Sequence, residues 1–375
     1  MSLRLVELFA GIGAQRRALE NVGEREGIQI DTVGISEIDP YALQSYEAIF
    51  GDLPNLGDIR SIRSLPGCEI CTYSFPCQSL SKTGRREGMT KGTETESSLL
   101  WEVERLLSVS SELPEWLIME NVPEVISVRN LPDFHVWVRT LASHGYSSKW
   151  GILNSLDFGV AQNRARCFMV SHLNGPVPDL PRGFPLESRL RDYLESDVDE
   201  KYYLSEQRLK GLLASTEKQS SKGNGFEFCI TDKGGVSHTI STKEGCRKTG
   251  TFIEVIDGDG TSRAYDGDGY NLQFVGRGGR ARVQSQRSCT IPAVCQMAGV
   301  VDGQRIRKLT PRECWRLMGR TDEEFDRASK VCSNSQLYKQ AGNSIVVPIL
   351  EAIFSTIIRS KGGQSTLSMF EEAVA

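Results

Sequence analysis

The chain has 375 residues, with 44 Lys and Arg against 48 Asp and Glu, a formal net charge of −4. Its 39% hydrophobic and 25% charged residues match ordinary globular usage, which excludes a disordered chain and a collagen-like repeat. Ten cysteines are too sparse for a small secreted disulfide framework, residues 3–9 are too short and charged for a signal peptide, and the apolar stretch 345–358 is interrupted by Pro348 and Glu351. The expectation is a reduced, soluble, cytoplasmic protein with no membrane span.

Residues 3–9 form a β-capable run ending in Phe9-Ala10-Gly11-Ile12-Gly13, and a helical pattern follows over 14–22. A second strand is expected at 32–36 and a second helix at 41–50. Further short apolar runs at 69–73, 116–119 and 167–170 are separated by longer periodic segments. Strands alternating with helical patterns predict an α/β domain with a mostly parallel, doubly wound sheet. From about 176 to 302, Gly, Ser, Lys and Arg dominate and turn signals recur, which predicts a smaller, irregular, β-containing domain. Regular patterning returns at 309–319 and 345–358, so the last helix is expected to pack back on the first domain. The expected division is 1–175, 176–325, 326–360 and a loose tail at 361–375.

Charge is unevenly spread. Between residues 277 and 312 eight basic residues (Arg277, Arg280, Arg282, Arg287, Arg305, Arg307, Lys308 and Arg312) face one acid, Asp302. Such a segment can grip a polyanion through phosphates, although a charge run alone is as readily a solvated loop.

Glycines after a first strand let a ligand approach the backbone at the carboxyl edge of the sheet. Gly11-x-Gly13 lacks a third glycine at the dinucleotide spacing, so no pyrophosphate site is implied. Glu37, ending the second strand, suits ribose hydroxyls, and Asp58 suits an adenine amino group; singly, each could equally be a turn or surface residue. Cys77 follows a strand on a proline-stiffened turn, which places it at the mouth of the sheet and not in its core. Cys68 and Cys71 have no second pair or nearby His, so they read as strand residues and no metal site is expected. Trp116 to Asn121 delivers Glu120 to a strand end, where apolar neighbours would favour its protonated form. Arg164 and Arg166 alternate into the next strand, which predicts both guanidiniums on one face.

Phe9-x-Gly11-x-Gly13, Pro76-Cys77-Gln78, Glu120-Asn121-Val122, Gln162-x-Arg164-x-Arg166 and Gln340-Ala341-Gly342-Asn343-Ser344 follow one another in the order found in DNA (cytosine-5) methyltransferases, which this chain resembles across nearly its whole length. The resemblance implies a Rossmann-like class I methyltransferase fold with a target-recognition domain at about 176–305. It implies S-adenosylmethionine as cofactor, with S-adenosylhomocysteine as product, held by Phe9, Gly11, Ile12, Gly13, Glu37, Ile38, Asp58, Ile59, Pro76, Asn343 and Ser344. Ile38 stands where many members carry an aromatic residue against the adenine. Cys77 would be the nucleophile, Glu120 would bond the N3 and amino edge of a flipped-out cytosine, and Arg166 with Arg164 would steady the base carbonyl.

For the DNA, the resemblance implies Gln78, Ser81, Thr83 and Arg85 on a catalytic loop at 78–98, and Arg277, Arg280, Arg282 and Thr290 in the recognition domain. The expected partner is duplex DNA carrying a short target sequence, with the chain a monomer in a bacterium or phage, with or without a cognate restriction endonuclease. Residues 364–370, Gln-Ser-Thr-Leu-Ser-Met-Phe, are similar to peptides that dock on sliding clamps; a frayed terminus is the plainer reading. The Asp-Gly repeats at 257–260 and 266–269 lack the glycine and closing Glu of a calcium loop and read as turns. The rival readings are an RNA (tRNA) cytosine-5 methyltransferase and a non-catalytic protein that binds cofactor and DNA.

Overall fold

Four consecutive apolar strands set the architecture. β1 (Ser2–Leu8), β2 (Gln29–Ser36), β3 (Ile70–Tyr73) and β4 (Trp116–Asn121) run parallel, and β5 (Tyr146–Asn154) and β6 (Ala165–Leu173) complete one sheet in the order β2-β1-β3-β4-β6-β5. β6 is antiparallel to both β4 and β5. This computed structural model describes residues 2–80, 88–93, 95–205, 207–208, 211–212, 230–231, 233–242, 252–256, 269–271, 282–284 and 304–362. The chain divides into two compact units, one of Met1–Phe158, Ala165–Pro185 and Ser344–Ala375, the other of Gly159–Arg164 and Leu186–Asn343.

In the first unit, helices α1 (Ala14–Glu26), α2 (Pro40–Phe50), α3 (Leu100–Val109) and α4 (Leu131–Ser143) connect the strands, and α8 (Val347–Gly362) packs against α1; α5 (Pro311–Arg316), α6 (Asp322–Ser329) and α7 (Asn334–Asn343) lie in the second unit. Strand alternation sends Val6, Leu8, Cys71, Tyr73, Leu117 and Met119 into one core with Leu106, Phe134, Trp137 and Leu141 of α3 and α4. Cys71 is a buried thiol of β3, as expected of a strand residue, whereas Cys68, also buried, precedes that strand. Helix ends follow local chemistry: Asp39 caps α2 through the Tyr41 and Ala42 amides with Pro40 at its first position, and Gly27 closes α1 in a left-handed conformation. Glu351 of α8 accepts from Asn21 Nδ2 at 2.6 Å and Arg25 Nη1 at 2.9 Å, fixing the returning helix on α1. The stretch Asn334–Ser360 is long and apolar enough to cross a membrane by length and composition, but it is mostly buried.

The sheet departs from the sequence reading at β5. β5 is an edge strand with mixed exposure, so neither a period of two nor a continuous apolar run announced it. Beyond β2, an isolated parallel bridge joins Ile35 to Asn55.

The second unit carries a three-stranded sheet of β7 (Ile230–Thr231), β8 (Phe252–Ile256) and β11 (Gln304–Lys308), and a pair of β9 (Gly269–Asn271) with β10 (Arg282–Gln284). Two of its helices, α5 and α6, start on capping boxes, Thr310 with Glu313 and Thr321 with Glu324. Two residues of the basic segment are committed internally. Arg307 is buried and pairs with buried Glu313 through two nitrogens, at 2.7 and 2.8 Å. Arg312 is held by Glu195 at 3.2 Å and by Asp326 at 2.5 Å. The net charge of residues 277–312 therefore overstates what is available to phosphates.

Candidate functional site

The carboxyl edge of the parallel strands collects most of the expected site. After β1 the chain turns through Phe9 (φ 59°), Gly11 (φ 56°) and Gly13 (φ 73°), all left-handed. The Ala10 amide bonds Ser36 O at the end of β2, and the Gly13 amide bonds Ala10 O, so the turn is tied to the neighbouring strand. Glu37, just past β2, accepts from the Gly11 amide at 2.8 Å and from the Ile38 and Asp39 amides at 2.8 and 2.7 Å. Beside it the Ile38 side chain is 70% exposed, an uncovered apolar surface at the strand edge. Asp58 caps a short helix at Ile59–Ser61 through the Arg60 amide, and Ile59 is buried beneath it. Glycine turn, carboxylate, exposed apolar side chain and second carboxylate offer close backbone approach, two hydrogen-bond acceptors and an apolar surface along one sheet edge. An added Cβ on Gly11 would meet nothing within 4 Å, so the turn leaves open space for a ligand.

Cys77 is half-buried, four residues beyond β3, on a turn held by its neighbours. Asn121 Nδ2 donates to Phe75 O at 2.9 Å, Ser97 Oγ donates to Pro76 O at 2.7 Å, and the Leu80 amide donates to Cys77 O at 3.0 Å. Glu120 precedes Asn121 at the end of β4. Because β6 runs antiparallel to β4, its first residues reach the same edge, and Arg166 Nε lies 3.2 Å from Glu120 Oε1. Both side chains are largely buried there. Cys167, next in β6, is pushed up to about 12 by burial and by the nearby Glu120 charge, which leaves it a neutral thiol.

Arg164, expected on one face with Arg166, stands just ahead of that strand. It precedes β6, is buried, and donates to Ile240 O and Gly342 O, each at 2.8 Å, within the second unit. Strand alternation applies only inside a strand, and Arg164 falls outside it. Buried Gln162 acts alongside it, donating to Leu317 O at 2.7 Å and accepting from the Ile240 amide at 3.0 Å. Gly342 must be glycine for the same clasp, since an added Cβ would lie 2.2 Å from the Thr242 backbone nitrogen. Asn343 ends α7 and is exposed, whereas Ser344 is buried and donates to Ile345 O at 3.3 Å.

Of the residues expected on DNA, Gln78 is exposed beside Cys77, and Arg282 lies in β10. Ser81, Thr83, Arg85, Arg277, Arg280 and Thr290 lie outside the described residues, as do residues 257–260, 266–268 and 364–370. Among the described residues no three His, Cys, Asp or Glu form a group that could hold a metal ion. Sequence reasoning missed Ser97 and the buried Glu7; nothing in a lone serine or glutamate signalled them.

The C-5 cytosine-specific DNA methylase family model matches residues 3–359, and the chain belongs to that family. It is thus a DNA cytosine-5 methyltransferase that uses S-adenosylmethionine. Among its relatives, the type II methyltransferase M2.ScrFI of Lactococcus lactis subsp. cremoris is 32% identical over 96% of this chain and 100% of its own length. The orphan methyltransferase M.SssI of Spiroplasma monobiae is 28% identical, covering 95% of this chain and 97% of its own. In fold the chain resembles the Entamoeba histolytica methyltransferase EhMeth (TM-score 0.71, 18% identity, 96% of this chain and 99% of that one) and S. pombe Dnmt2 (TM-score 0.65, 20% identity, 96% and 99%).

Proposed function

We propose that Cys77, Glu120 and Arg166 form the catalytic centre and that the cofactor is held at the turn from Phe9 to Gly13, with Glu37 at the ribose, Ile38, Asp58 and Ile59 at the adenine, and Pro76, Asn343 and Ser344 toward the methionine end. One observation carries the reading. Consecutive β4 residues serve both partners: Asn121 fixes the turn bearing Cys77, and Glu120 pairs with Arg166. Nucleophile and base-binding pair are thereby tied through one strand end, on groups whose rotamers are already restrained.

The chemistry follows from the substrate. Cytosine C5 is weakly nucleophilic until a bond forms at C6. The Cys77 thiolate adds to C6, while Glu120 bonds the N3 and amino edge and Arg166 keeps Glu120 oriented and opposes charge on the base carbonyl. The cofactor, when bound, supplies an electrophilic methyl group. Loss of the C5 proton with expulsion of Cys77 then restores the aromatic ring. A base inside a stacked duplex cannot present C6 to a thiolate, so the target cytosine is flipped out.

The second unit is assigned to recognition of a short duplex sequence, with Arg277, Arg280, Arg282 and Thr290 facing DNA and Gln78, Ser81, Thr83 and Arg85 closing on the flipped base. The proposed setting is a monomer in the cytoplasm of a bacterium. Relatives named type II and orphan frame two settings, with and without a partner endonuclease, and the 364–370 tail is offered as a sliding-clamp ligand. A pull-down unaffected by deleting residues 362–375 would dispose of the clamp.

Bisulfite sequencing of plasmid from a methylation-free host tests the central reading. Protected cytosines in one short context, absent with Cys77→Ser, are expected; full protection with that variant overturns the covalent mechanism.

A further inference from the structure

Glu7 is a fully buried carboxylate in β1 that no step above uses. Its Oε1 accepts the Arg16 backbone N–H at 2.9 Å, and its Oε2 accepts the Tyr46 hydroxyl at 2.6 Å. Arg16 is the third residue of α1, whose N-cap is Gly13, a left-handed residue without a side chain to bond the first-turn amides. Glu7 supplies from the sheet the acceptor that a capping Ser or Asp supplies from within a helix. Tyr46 closes the same assembly from α2, since an added Cβ on Gly13 would lie 2.7 Å from its ring. The turn at 9–13 is thus spanned by one carboxylate that grips the helix after it and the ring packed beside it.

We propose that Glu7 is a positioning residue for the cofactor, holding the 9–13 turn in its left-handed geometry through the Arg16 amide and Tyr46, and that its ionisation sets cofactor affinity. This rests on placing the cofactor at that turn. The groups facing Glu7 are few. From α1 come Arg16, whose guanidinium pairs with Glu20 at 2.6 Å, and Glu20 itself; from α2 comes Tyr46. Opposite Glu7 in the sheet stand uncharged Ile35 on β2 and Thr72 on β3. A carboxylate accepts from both donors at full strength, whereas a carboxylic acid turns a hydrogen toward one of them. Burial pushes Glu7 up to about 7, against the pull of the Tyr46 hydroxyl and the Arg16 amide, so the two forms exchange near neutrality.

The test is calorimetric binding of S-adenosylhomocysteine to the full chain at pH 6, 7 and 8. Wild type is expected to bind about five-fold more weakly at pH 6 than at pH 8, the worth of one hydrogen bond. Glu7→Gln should bind more weakly than wild type at pH 8 and lose that pH dependence. Tyr46→Phe keeps the carboxylate but removes one donor, so its transition should move to higher pH; this variant carries the test if Glu7→Gln fails to fold. An unchanged pH slope in Glu7→Gln, or in Tyr46→Phe an unmoved transition, overturns the proposal. Glu37→Ala separates the two layers: weaker binding with the wild-type slope upholds the cofactor placement, and wild-type affinity in that variant removes the placement and the proposal together.

Discussion

Arg166 Nε sits 3.2 Å from Glu120 Oε1, across two antiparallel strands whose ends meet at the edge that carries Cys77. With both side chains largely removed from water, the guanidinium keeps the carboxylate oriented where a surface pair would contribute little. Replacing Arg166 by Ala should lower single-turnover methyl transfer about a hundred- to a thousand-fold, the usual cost of losing one preorganised charge-stabilising donor. Lys at this position should rescue little, because an ammonium cannot reproduce the planar fork. Tritium transfer to duplex DNA measures both, with cofactor binding unchanged.

Arg164 makes the contrasting case. Its two bonds hold the Ile240 and Gly342 carbonyls in the second unit, so Arg164→Ala should cost about 2–4 kcal/mol of stability through buried groups left without their donor. Urea unfolding followed by tryptophan fluorescence gives the loss. A destabilised but fully folded fraction is expected to retain most of its chemical rate, which Arg166→Ala would not.

The two glycines of the first turn should separate packing from ligand access. Gly13→Ala adds a Cβ 2.5 Å from the Phe50 ring at φ 73°, so strain and overpacking combine to about 2–4 kcal/mol. Gly11→Ala meets no neighbour and carries the strain of its left-handed backbone alone, about 1 kcal/mol. Thermal unfolding should rank them in that order, while cofactor binding should fall for both.

Buried Glu7 also predicts a stability profile. Raised from 4.5 to about 7, chiefly by burial, it binds its proton more tightly in the folded chain than in the unfolded one. Its contribution is therefore fully present below the unfolded value and is lost as pH rises through the folded one, by up to about 3 kcal/mol. Wild-type unfolding free energy measured at pH 5, 6, 7 and 8 should carry this downward component, and Glu7→Gln should lack it.

Strand periodicity and turn residues, being local properties, were enough for a doubly wound α/β domain with a thiol at the sheet mouth and a carboxylate at a strand end, while the cofactor followed only from the family resemblance that the order of five short motifs carries. The sequence also marked the return of the last helix, since its apolar face has to be covered somewhere. The different partners of the two arginines appeared only in three dimensions: Arg164 and Arg166 are two residues apart, yet the strand begins between them, and one holds the Ile240 and Gly342 carbonyls while the other pairs with Glu120. The same holds for Arg307 and Arg312, whose charge looked available until Glu313, Glu195 and Asp326 were brought against them. Glu7 shows the limit most plainly. Its residue type favours the surface, and only long-range packing of α1 and α2 onto β1 makes it a buried acceptor for the Arg16 amide and the Tyr46 hydroxyl.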